Sequence, residues 1–160
     1  MSGIFERLSM QRYTLRTGSG VSTNRITAFD RALIEAGIAQ FNLVKISSIL
    51  PPFCIQESEI KQGKGSLLPT AFSVIYSSSP RDIISASIAS GIPENSEDIG
   101  VIMEHSMHGS KETAEEIAHS LVEEAMHDRA ISLRKIVSLS VECRVVSTEV
   151  HCAFAAVSIW

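Results

Sequence analysis

Lys45-Ile46-Ser47-Ser48-Ile49-Leu50-Pro51-Pro52 is the stretch from which the rest of this 160-residue chain is read. An apolar run, Phe41 to Ile46, leads into two serines, and a proline pair closes it. One reading is punctuation: a strand end, with serines as turn residues and prolines that bar continuation. The other reading is chemical. A Ser48 hydroxyl held against the Ser47 carbonyl can attack it and turn the amide into an ester. Elimination of the ester carboxylate leaves dehydroalanine at position 48. Hydrolysis then releases ammonia and leaves a pyruvoyl ketone at the new N-terminus. Such a ketone takes up an amine and serves as an electron sink.

Bulk properties narrow the classes. The chain has the length of one domain with a sizeable core. It is 44 % hydrophobic but only 6 % aromatic, so the core is built from Ile, Val, Leu, Ala and small residues, which suits closely packed sheets. A net charge of −4 without a Lys/Arg cluster argues against nucleic acid and against an anionic membrane. No apolar run reaches the roughly 18 residues of a spanning helix. Met1 to Gln11 is a polar lead-in without the apolar core of a secretion signal, so the expected compartment is the cytoplasm. Cys54, Cys143 and Cys152 are widely spaced and odd in number, which predicts free thiols, not a disulfide frame or a zinc site.

Periodicity supplies the elements. Arg12 to Thr17 reads as a short strand and Thr17 to Asn24 as a loop of small residues, without the spacing or lysine of a phosphate loop. Ile26 to Ile38 reads as a helix capped by Thr23 or Asn24, with Phe29, Ala32, Leu33 and Ala36 on one face and Gly37 at its end. Phe41 to Ser48 is a strand, and Pro51 to Leu68 is irregular. Strands follow over Pro69 to Ser77, Asp82 to Ile92 and Ile99 to Met107. Ser110 to His127 is the clearest helix, with a stripe of Ala114, Ile117, Ala118, Leu121, Val122, Ala125 and Met126 that reads as core packing. Ile136 to Ser147 and Glu149 to Trp160 complete the strands, the last apolar enough to be interior. Two helices cannot cover one wide sheet on both faces. Two stacked sheets with a helix outside each, four layers, bury every face.

Three polar residues stand out. Asp30, in the first turn of its helix, is either a surface carboxylate favoured by the dipole or a partner for a cationic substrate. Asn42 is a turn residue or an amide that donates to a carbonyl oxygen. Glu104 closes an apolar run, Gly100 to Met103. It is either solvent-facing or held in a partly dry pocket as a general acid. His105 and His108 invite a metal reading, but no carboxylate or cysteine set completes a site.

Taken together, the chain resembles the pyruvoyl-dependent arginine decarboxylases. The likeness runs from about Thr14 to the C-terminus, through Ala28-Phe29-Asp30, Asn42-Leu43-Val44, Ile46 to Pro52, Pro69-Thr70-Ala71, Ile84-Ser85-Ala86, Gly100 to Glu104, Val141-Glu142 and Cys152 to Ala156. The resemblance implies a single domain, residues 1–160, with an αββα sandwich of two mainly antiparallel sheets. It implies self-cleavage between Ser47 and Ser48, giving a β chain of residues 1–47 and an α chain of 48–160. The cofactor would be a covalent pyruvoyl group from Ser48, with no metal and no pyridoxal phosphate. Asn42 would contact the ketone oxygen, Glu104 would return a proton to the substrate carbon, and Asp30 would receive the guanidinium of L-arginine. Trimers, single or paired, would place active sites between subunits. The stretch Gly18 to Thr27 departs from the family pattern on the substrate side. This keeps histidine, lysine or ornithine open as alternative substrates. A non-maturing structural homologue is the rival from another class.

Overall fold

A computed structural model describes residues 10–160; the expected lead-in lies largely outside them. Nine strands and two helices follow in the order β1 (Arg12–Ser22), α1 (Arg25–Glu35), β2 (Asn42–Lys45), β3 (Ile49–Leu50), β4 (Ile55–Gln56), β5 (Leu67–Ser77), β6 (Ile83–Pro93), β7 (Gly100–His108), α2 (Lys111–Asp128), β8 (Leu133–Arg144) and β9 (Val150–Ile159). One sheet has the order β2-β5-β9-β1-β4, the other β3-β7-β6-β8. The second sheet is antiparallel throughout. The first adds two short parallel pairings at its edges, β2 with β5 and β1 with β4.

Strand alternation sorts the apolar residues into three interfaces. On β9, Ala153, Ala155, Val157 and Ile159 face the second sheet, while Cys152, Phe154 and Ala156 face α1. On β6, Ile84, Ala86 and Ile88 face the first sheet, and Ala89 faces α2. Two buried cores under the helices and one between the sheets make the four layers expected. The terminal strand is interior, third of five in its sheet.

Element limits differ from expectation where backbone packing overrides local composition. The glycine-rich stretch is no loop: β1 runs to Ser22. A Cβ on Gly18 would stand 2.1 Å from the Ala32 carbonyl oxygen, and one on Gly20 2.1 Å from that of Ala28. The glycines let α1 lie directly on the strand. The helix starts at Arg25, capped by Asn24, whose side chain accepts from the Thr27 amide. Asp30 therefore sits in its second turn, not its first. Gly37, at φ +74°, ends the helix, with the Ile38 amide donating to Leu33 O. The strand expected over Phe41 to Ser48 stops at Lys45, and the irregular region holds two two-residue strands, β3 and β4. Serine at 110 caps α2, as read from the sequence.

Candidate active site

The Ser47-Ser48 peptide lies where the chain passes from one sheet to the other. β2 is an edge of the first sheet and β3 an edge of the second, and only residues 46–48 separate them. Both sides of the crossing are anchored. The Ile46 amide donates to Thr70 O at 3.2 Å, and the Ile102 amide donates to Ser48 O at 2.7 Å. Between these anchors, the Ser47 carbonyl and the Ser48 amide have no backbone partner among the described residues. Breaking that one bond costs no ladder hydrogen bond. Ser47 is exposed and Ser48 half-buried.

The antiparallel register, Ile49 opposite Val101, brings β7 alongside this crossing. Continued back along the chain, it sets Glu104 level with Ile46. Glu104 is exposed, not enclosed in a dry pocket, and its Oε1 lies 3.5 Å from Lys45 Nζ. Lys45 Nζ also donates to Phe72 O at 3.4 Å and stands 4.6 Å from the centre of the Phe72 ring. Asn42 opens β2. Its Nδ2 donates to Gly65 O at 2.7 Å, which pins the loop before β5 and leaves one amide hydrogen without a partner among the described residues. Beside these groups runs a groove of about 320 Å³ lined by Phe29, Leu33, Phe41, Asn42, Leu43, Lys45 and Phe72.

Ser47 and Ser48 thus lie with Glu104 where the edges of both sheets meet, and Asn42 opens the strand that leads into this crossing. Asp30 is carried by α1, whose Phe29 lines the same groove. It is exposed on α1 and makes no hydrogen bond or ion pair among the described residues. Its helical neighbours at four residues' distance, Ile26 and Ile34, are 83 % and 61 % exposed. Lys45 and Phe72 were not singled out by the sequence reading. The one available signal was a charge closing the apolar run Leu43-Val44. Among the described residues, no group of three or more His, Cys, Asp or Glu is placed to hold a metal ion. Among the described residues, no helix is long and apolar enough to cross a membrane.

Fold and corner together define a class: a four-layer αββα domain with a serine-serine peptide at its sheet crossing and a carboxylate beside it. Comparison with known proteins gives the family. The family model described as pyruvoyl-dependent arginine decarboxylase matches residues 12–159, and the chain belongs to that family. It is 38 % identical over 147 residues to the pyruvoyl-dependent arginine decarboxylase of Methanococcus aeolicus, covering 92 % of this chain and 88 % of that one. The protein of the same description from Methanocaldococcus jannaschii is 38 % identical over 151 residues, with the same coverage. That from Pyrococcus abyssi is 38 % identical over 123 residues, 76 % of this chain and 77 % of its own.

Proposed function

We propose that this chain is an arginine decarboxylase that converts L-arginine to agmatine and carbon dioxide after cutting itself between Ser47 and Ser48. The observation that carries the reading is the position of that serine pair, at an unladdered crossing beside Glu104 and at the end of the strand that Asn42 opens, in a chain whose relatives bear that description. In maturation, Ser48 Oγ adds to the Ser47 carbonyl carbon, and the peptide nitrogen leaves as the Ser48 amine. Loss of a Cα proton and departure of the Ser47 carboxylate give dehydroalanine. Water then replaces nitrogen, and ammonia leaves. The products are residues 1–47 and a 48–160 chain bearing a pyruvoyl group.

The corner suits such a group. The Ser48 carbonyl is already fixed by the Ile102 amide, and Asn42 has an amide hydrogen to offer its oxygen. When present, the pyruvoyl ketone supplies the electron sink for a decarboxylation. Glu104, as the acid, returns a proton to the substrate carbon. Asp30 receives the guanidinium through paired hydrogen bonds, which suit a planar fork and a carboxylate.

Asp30 reaches this site from a neighbouring copy. Two exposed apolar surfaces support this part of the proposal: Ile26 and Ile34 around Asp30, and Val44, Ile49 and Leu67 around the crossing. A contact between two different patches repeats head to tail and closes into a ring, here a trimer, alone or paired. A reducing cytoplasm is also part of the proposal, supported by free thiols at Cys54, Cys143 and Cys152.

The test is release of labelled carbon dioxide from arginine, histidine, lysine and ornithine by the purified protein. Release from arginine is expected. Release from histidine and not arginine would overturn the substrate, and a chain that stays whole would favour a structural homologue.

A further inference from the structure

β2 ends at Lys45 because the chain must leave one sheet for the other. The Ile46 amide makes the last bond to β5, at Thr70 O. Beyond it, among the described residues, no strand pairs with the β5 edge that carries the Phe72 carbonyl. The Lys45 ammonium fills that place. It meets the Phe72 carbonyl, the Phe72 ring face and the Glu104 carboxylate at the distances given above. An ammonium has three donors and is drawn to a ring face, so one group serves all three partners. Glu104 makes no other ion pair among the described residues, and no side-chain hydrogen bond. Lys45 alone orients its carboxylate. Cleavage at Ser47-Ser48 leaves Lys45 on the 1–47 fragment and Glu104 on the 48–160 fragment.

We infer that Lys45 is a positioning residue for Glu104, holding its carboxylate in place from across the cut. The inference rests on the decarboxylase reading above. Both partners reach solvent, Lys45 at 58 % and Glu104 at 36 % exposure, and such pairs add little to stability. Removing the ammonium therefore frees the carboxylate without unfolding the chain.

Zero-length cross-linking reads the pair directly. A water-soluble carbodiimide activates the Glu104 carboxylate, and the unprotonated Lys45 amine displaces it. An amide forms, and the carbodiimide takes up the lost water as its urea. On a denaturing gel of the matured protein, the two fragments then run as one band, and peptide mapping finds Lys45 joined to Glu104. Lys61–Glu57 lies wholly within the larger fragment and cannot join the two. Arg12–Glu57 does span them, but a guanidinium is not acylated under these conditions. Lys45→Arg abolishes the joined band.

Kinetics supply the second arm. Lys45→Met matures as the wild type does and keeps KM within about twofold, while kcat falls about 10- to 100-fold, as expected for a misplaced reacting group. Lys45→Arg recovers part of that loss. Absence of the joined peptide from matured protein, full kcat in Lys45→Met, or a rise in KM alone overturns the inference and leaves the decarboxylase reading standing. A chain that never yields two fragments overturns that reading and the inference with it.

Discussion

Gly20→Ala tests how the fold brings α1, and with it Asp30, against the sheet. The added Cβ would stand 2.1 Å from Ala28 O, 2.8 Å from the Ala32 nitrogen and 2.9 Å from Arg31 Cβ. Two of these neighbours are backbone, so no rotamer change relieves the contact. Ordinary separation, 3.4 Å or more, requires the helix to move outward by roughly 1 Å. That movement opens the interface holding Ala28, Ala32, Leu33 and Phe154, all buried. It also disturbs the ties from Arg31 to Val21 O and from Ser19 to Glu35. Overpacking costs about 1–3 kcal/mol when side chains can yield, so a backbone clash belongs at about 3 kcal/mol or above. For a chain of this size, about 3 kcal/mol lowers Tm by roughly 6–12 °C. Thermal unfolding followed by circular dichroism reads the change. A Gly20→Ala protein melting within about 2 °C of wild type would show that α1 does not rest on this strand.

The remaining predictions concern the corner itself and the thiols. Ser48→Ala lacks the attacking hydroxyl and remains a single band on a denaturing gel, with a far-ultraviolet spectrum like wild type. Glu104→Gln matures but loses about 10²–10⁴-fold in kcat, the usual range for a missing acid, and full activity would remove Glu104 from that role. Asp30→Asn matures normally, and its loss appears mainly as a raised KM for arginine; an unchanged KM would place the guanidinium elsewhere. Burial pushes the Cys152 thiol up to about 12 and that of Cys54 to about 11. Thiolate is the reactive form, so alkylation of Cys54 in the folded protein at pH 8 runs roughly a hundredfold or more slower than for a free thiol. Its rate climbs tenfold per pH unit up to about pH 11, and a plateau near pH 9 would contradict the burial described.

Much of the fold was legible because its signals are local. Alternation over β6 and β8, the continuous apolar run of β9 and the apolar stripe of α2 each follow from residues near one another in the chain. The two glycines in β1 were misread because their reason is a long-range one. They are small where a helix backbone arrives, and small residues in sequence look like a loop. β3 and β4 have two residues each, too short for a period to be seen. Ser47, Ser48, Asn42 and Glu104 were singled out from residue type and family resemblance. Lys45 was not. Its importance comes from the place where β2 stops, and that stop is set by the sheet crossing, not by composition. The apolar surroundings of exposed Asp30, Ile26 and Ile34, were equally invisible, since a helix pattern says which face is polar and not what that face meets.

The account stands on a chain that severs its own backbone at one serine pair. Intact mass of the purified protein, taken fresh and after prolonged incubation, is the direct measure. Two masses are predicted, residues 1–47 and residues 48–160, the second lighter by one ammonia than a fragment beginning with serine. A single mass for the whole chain that persists through incubation would contradict it.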